Sequence, residues 1–150
     1  MKLNTFLLLV SLIICSLSYA QEYKNPESAV FDPLSNRYFI SNFGNGNIIQ
    51  IDSTGVKTYF QKGLSRLLGM ILCNNVLYVV ENPKTLRGFD INNGKPVMEL
   101  QIKEAQFLND ITIDDSGFLY VTDSRGAAVY KIDVANHKYS LLVTNKITQV

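Results

Sequence analysis

From residue 26 onward, apolar side chains alternate with polar ones over short runs, and Asn, Gly, Asp and Pro fall between the runs. A period of two bounded by turn residues is the signature of half-buried strands, and no stretch carries a helical period. The pattern predicts four strands at 28–31, 37–42, 48–52 and 56–60, joined by Asp32-Pro33-Leu34-Ser35-Asn36, Gly44-Asn45-Gly46-Asn47 and Ser53-Thr54-Gly55. A second set follows at 70–73, 76–81, 85–90 and 96–100, and a third at 109–113, 119–123, 128–133 and 138–143. The chain is therefore expected to be all-β.

The three sets share one plan. Tyr38, Tyr78 and Tyr120 stand in the second strands, and Asp52, Asp90 and Asp133 close the third strands. The spacing is about 40 residues with four strands per unit, the period of propeller blades. A sandwich or barrel with hairpins of similar length is the competing architecture. A propeller closes a ring of several sheets, so three blades are expected to be the amino-terminal part of a larger ring with an apolar blade face uncovered, open to self-association or an obligate partner.

The first twenty residues carry a different pattern. Lys2 precedes the apolar run from Phe6 to Ile14, and Ser18-Tyr19-Ala20 supplies small residues before Gln21. This is the layout of a secretory signal peptide, so 1–20 is expected to be removed and 21–150 exported to a periplasm or the exterior. A retained anchor is disfavoured by the shortness of the run, and lipid attachment at Cys15 by Ile14 before it. Removing the segment takes away Lys2 and no acid, which leaves the basic groups level with the 13 acidic ones. A neutral chain without basic clusters is not expected to bind nucleic acid, and after cleavage nothing points to a membrane. Cys73 is the only cysteine left after cleavage and reads as a small buried apolar residue rather than a nucleophile.

Candidate chemistry gathers where inner strands begin. Glu27 and Asn109 each lie eleven residues upstream of a repeated tyrosine, which puts them at matching positions on non-adjacent blades, while Leu68-Gly69 holds that place in the middle blade. A carboxylate and an amide carbonyl are hard oxygen donors suited to Ca²⁺, Mg²⁺ or Mn²⁺, and such a cation wants about six oxygens, so other donors are needed. A solvated strand charge and a turn cap at Asn109-Asp110 are the plain alternative. Asp114-Asp115-Ser116-Gly117 reads as a hairpin, since no Glu follows at the spacing of a calcium loop. Gly44-Asn45-Gly46-Asn47 reads as a turn and not a phosphate cradle. His137, the only histidine, is placed on a rim far from the proposed mouth, and Asn42 and Asp123-Ser124 on turns toward the other rim or the blade edge.

The segment 26–32, with Tyr38-Phe39-Ile40-Ser41-Asn42, Phe107 to Asp114 and Tyr120-Val121-Thr122-Asp123-Ser124, resembles the senescence-marker-protein/gluconolactonase (regucalcin-like) superfamily of six-bladed propellers. Paraoxonases and strictosidine-synthase-like proteins are remoter relatives. The resemblance implies a partial six-bladed β-propeller, about three four-stranded blades after a signal peptide. It also implies a divalent metal at the channel mouth, Ca²⁺ foremost with Mg²⁺, Mn²⁺ or Zn²⁺ as alternatives. Glu27 would match the first-blade acid, Asn109 a metal or substrate contact, and Asp110 its substrate-binding partner. In such proteins the metal polarises a lactone or ester carbonyl and activates water. Phe107 departs from the pattern where sugar-lactone members tend to carry Arg. The Pro-Asn-Gly segment and later Asp that complete such a site are expected beyond Val150, and paraoxonase-like channel histidines are lacking. The resulting expectation is a part of an exported metal-dependent lactonase or esterase, inactive by itself. A non-catalytic NHL-like propeller that binds a ligand or protein is the alternative.

Overall fold

In a computed structural model of the chain, residues 23–144 are described, so the proposed signal segment at 1–20 lies outside the described residues. Among the described residues, twelve strands form three separate four-stranded antiparallel sheets. The first sheet holds β1 (Pro26–Asp32), β2 (Arg37–Asn42), β3 (Ile48–Ile51) and β4 (Lys57–Gln61) in sequence order. The second holds β5 (Arg66–Cys73), β6 (Val76–Asn82), β7 (Thr85–Asp90) and β8 (Pro96–Gln101). The third holds β9 (Leu108–Ile113), β10 (Leu119–Asp123), β11 (Ala128–Asp133) and β12 (Lys138–Thr144). Every expected strand is present, and β5 begins earlier than its alternation suggests because Arg66 and Leu67 already pair with Asn82 and Glu81.

Turn chemistry explains why the strands stop where they do. Asp52, Asp90 and Asp133 turn their carboxylates onto the amides of the following turn, at Thr54, Asn92 and Asn136. This is the side-chain turn that short acidic residues form readily. Asp114 does the same to Ser116 and Phe118 and takes the Tyr120 hydroxyl at 2.8 Å, so Asp114 to Gly117 is a hairpin turn. Asn74 and Asn75 both adopt left-handed φ, 48° and 62°, between the paired Cys73 and Val76. That is the tight hairpin geometry which asparagine tolerates best after glycine.

Two apolar layers hold the sheets face to face. Phe39 and Ile48 of the first sheet pack against Leu67, Met70, Leu77, Val79 and Phe89 of the second. The opposite face of the second sheet, with Leu68, Tyr78, Val80 and Leu86, packs against Ile111, Leu119 and Val121 of the third. Both faces of the middle sheet are thus buried, which is why β6 reads as the continuous apolar run Leu77 to Val80. The first strands β1, β5 and β9 adjoin from sheet to sheet, so they form the inner layer.

Candidate functional site

Each inner strand bulges at one place, and the bulges are in register. In β5, Leu67 pairs with Glu81 and Met70 with Val79, which leaves Leu68-Gly69 opposite Val80. In β9, Leu108 pairs with Asp123 and Ile111 with Val121, which leaves Asn109-Asp110 opposite Thr122. In β1, Pro26 pairs with Asn42 and Ser28 with Ser41, so Glu27 is the extra residue. Glu27, Leu68 and Asn109 therefore occupy one structural position, repeating every 41 residues. A bulge of this kind re-aims side chains at the end of a sheet.

The equivalence of Glu27 and Asn109 holds, but the tyrosine count does not explain it. Tyr78 faces the next sheet, in the layer with Ile111 and Val121, and Phe39 faces the next sheet in the same way. Tyr38 lies on the opposite face, paired with Phe31 and half exposed. The true partner of Tyr78 and Tyr120 is Phe39, not Tyr38. Ala29 pairs with Ile40 where its equivalent Ile111 pairs with Val121, so the first hairpin is one residue longer in register than the third, and this offsets the slip.

Glu27, Asn109 and Asp110 are all exposed. Glu27 lines a cavity of about 350 Å³ with Tyr23, Pro26, Ser28, Ala29 and Ile40. Asp110 donates its amide to Thr122 Oγ1 at 3.0 Å and accepts the Ile111 amide at 2.9 Å on Oδ1. Ser28, the equivalent of Asp110, donates its amide to Ser41 Oγ at 3.1 Å, so a hydroxyl secures the bulge in both outer sheets. Gly69 holds that place in the middle sheet, where a Cβ would lie 2.5 Å from Asp110 Oδ1 and 2.8 Å from Asp110 Cα. The glycine is what lets β9 come so close to β5. Leu68 is buried in the layer against the third sheet and offers no donor side chain. Among the described residues, no group of three or more His, Cys, Asp or Glu side chains gathers to hold a metal ion.

Beside each bulge lies a buried polar residue that composition alone did not reveal. Asn42 and Asp123 close β2 and β10, and Glu81 is the last residue but one of β6; all three are buried and stand at one register position opposite Pro26, Leu67 and Leu108. Asn42 Oδ1 accepts the Lys24 amide at 2.9 Å, Glu81 Oε1 the Ser65 amide at 2.6 Å, and Asp123 Oδ2 the Gln106 amide at 2.8 Å. Residues 24, 65 and 106 again repeat every 41 positions. The clasp fastens the approach to each inner strand and so fixes where Glu27 and Asn109 emerge. Its residue type changes from blade to blade, and only the shared acceptor role marks it. Burial alone would raise the Asp123 carboxyl, but the amides of Gln106, Gly126 and Phe107 outweigh that and hold it below the ordinary carboxylate value.

These pairings place Asn42 and Asp123 at the same end of the sheets as Glu27 and Asn109, not on the other rim as the sequence suggested. Their structural role stands. His137 is in the hairpin after Asp133, which pairs with Lys138 at the opposite end of the third sheet. Two cations at the Asn109 end were not anticipated. The Arg125 guanidinium lies 4.7 Å from the centre of the Phe107 ring, and that of Arg66 lies 5.5 Å from the Phe43 ring. Phe107 thus brings an arginine beside the bulge from the turn after β10. The signal for this was an Arg two residues past a strand-closing Asp.

No protein-family model matches the chain, and comparison with curated proteins finds no match. Solved structures do match. A catalytically inactive virginiamycin B lyase from Staphylococcus aureus, crystallised with quinupristin, superimposes with a TM-score of 0.72 at 13% identity, over 85% of this chain and 44% of that one. Selenomethionine-substituted virginiamycin B lyase from the same organism gives 0.69 at 14% identity over 81% and 42%. A chain of a nidogen/laminin complex gives 0.68 at 17% identity over 81% and 48%. The fold is that of a β-propeller. Each four-stranded sheet is a blade, the inner layer is that of the channel, and the chain spans just under half the length of the solved propellers it matches. At these identities the likeness establishes the fold and no family within it.

Proposed function

We infer that the chain contributes the Glu27 and Asn109 side of a divalent-cation site in a propeller of the metal-dependent lactonase or esterase kind. The reading is carried by one observation: two exposed oxygen-donor side chains occupy the same bulge of two inner strands that flank β5. Carboxylate and amide oxygens suit a hard cation, with Ca²⁺ the first choice. Glu27 and Asn109 would hold the ion, and Asp110 would meet the substrate with the oxygen that the Ile111 amide does not occupy. A bound cation of this type supplies Lewis acidity to a carbonyl oxygen. Arg125 places a positive charge at the same end, which suits a carboxylate-bearing lactone or ester. Export, expected from the amino-terminal segment, would leave the blade layers to hold the propeller, since among the described residues Cys73 is a free thiol.

Calorimetric titration of Ca²⁺ and Mn²⁺ into the protein and into Glu27→Ala and Asn109→Ala variants tests this. Each variant is expected to lose at least about tenfold in affinity, the worth of one charged or polar ligand. Unchanged affinity in both would remove the pair from any site. Cation binding without turnover of a lactone panel would point instead to a ligand-binding propeller.

A further inference from the structure

The two outward faces of the three-blade unit differ in a way that the 41-residue register makes legible. In the layer between the first and second blades, the second blade presents Met70, Leu77, Val79 and Phe89. The register equivalents on the first blade's outward face are Ala29, Tyr38, Ile40 and Ile51. All are apolar, and Tyr38 is 48% exposed. The cavity lined by Tyr23, Pro26, Ala29 and Ile40 lies on this face, and the equivalents Leu64, Leu67, Met70 and Val79 meet the preceding blade in the layer just described.

The third blade's outward face is the other half of the same interface. Phe39, Ser41, Ile48 and Phe60 of the first blade press on the second. Their equivalents on the third are Tyr120, Thr122, Val129 and Leu142. Phe60 sits at the irregularity between Ile48 and Ile49 and stacks edge-on to Phe89 at 6.3 Å. Leu142 sits at the corresponding irregularity of β12 and is 55% exposed. Polar partners recur as well. The Met70 amide donates to Ser28 Oγ across the first interface at 3.2 Å, and Asp110 is the equivalent of Ser28 while Ala29 is the equivalent of Met70.

We propose that two copies of this chain pack head to tail, the third blade of each against the first blade of the other, and close a two-fold ring of six blades. The contact repeats the interface already built twice within the chain, with Tyr120 entering the cavity beside Tyr23 and Leu142 covering Ile51, the strand partner of Tyr38. Asp110 of one copy accepts the Ala29 amide of the other. Propellers of four to eight blades close a ring, and a head-to-tail contact that closes gives a finite assembly. The ring sets the second copy's Glu27 beside Asn109 and Asp110, so donors from both copies share one mouth.

Sedimentation velocity of the 150-residue chain over a micromolar concentration series tests this. The expected species is a dimer. Tyr38→Asp and Leu142→Asp each place a charge in both contacts of the ring and should weaken association at least about a hundredfold, because an unpaired charge resists burial. Both side chains are exposed, so the fold should survive, and Phe31→Lys on the same face replaces Tyr38→Asp if circular dichroism shows unfolding. Mixing the two variants leaves one native contact per pair and should tighten association at least about tenfold over either alone. His137→Asp, at the opposite end, should change nothing. A monomer throughout, an open-ended polymer, a dimer that survives both substitutions, or a mixture no tighter than its parts would overturn the proposal.

Discussion

Removing the Asp123 carboxylate should be among the most costly single changes in the third blade. Its oxygens accept the amides of Gln106, Phe107 and Gly126, each at 2.8 Å, from a side chain that is 1% exposed. Hydrogen bonds to a charged group contribute about 1.5 to 3 kcal/mol each, but the freed amides at 106 and 107 are only partly buried and regain water. A net loss of about 3 kcal/mol for Asp123→Ala follows. Asp123→Asn should cost about 2 kcal/mol, because one oxygen becomes an NH₂ that faces amide donors. In the first blade Asn42 escapes that conflict by donating its Nδ2 to the Ile40 and Asn47 carbonyls. Urea denaturation of the three proteins at pH 7 gives the differences from the midpoints. Stability of either variant within about 0.5 kcal/mol of the parent would refute the clasp as the device that anchors the inner strands.

Acid should act through the same contacts. Burial pushes the Asp32 and Asp123 carboxyls up, but hydrogen bonds to their carboxylates hold Asp32, Asp52, Asp114, Asp123 and Asp133 all below the ordinary aspartate value. A depressed folded value gives stability that is complete above the unfolded pKa and is lost as pH falls through the folded one. Unfolding free energy should therefore drop below about pH 4, and Asp123→Asn should flatten part of that slope. A pH-independent free energy between pH 5 and pH 2 would contradict the contacts. Gly69→Ala should destabilise by about 1 to 3 kcal/mol through overpacking against the Asp110 backbone. Adding Asp110→Ala removes only the nearest atom, so thermal denaturation should show little recovery; full recovery would mean that the backbones are not in close approach. Leu77→Ala, at a fully buried position between the first two blades, should cost about 2 to 5 kcal/mol by the same assay, and a cost under 1 kcal/mol would argue against that layer.

The fold was legible because propeller strands alternate and stop at residues with a strong local reason to turn. Asp52, Asp90 and Asp133 are visible in the sequence since a carboxylate one strand-end from free amides makes the turn by itself. The register was harder. Tyr38 and Phe39 are adjacent aromatics on opposite faces, and alternation alone does not say which one the neighbouring blade covers. The bulges decide it, and they depend on hydroxyls and a glycine at positions that differ in type from blade to blade. The buried clasp was hidden for the same reason, since Asn, Glu and Asp share a role there without sharing an identity. The Arg125 and Phe107 pair left only the Arg two residues past Asp123 as its trace, because it joins a turn to the approach of another strand.

The most direct test of a shared mouth uses Mn²⁺ as a paramagnetic probe in amide-resolved NMR of the protein. The amides of Glu27, Ser28, Asn109 and Asp110 should broaden together with one titration midpoint, and His137 at the opposite end should stay sharp. Broadening at only one of the two strands, or at the His137 end first, would contradict a single cation site built on the common bulge.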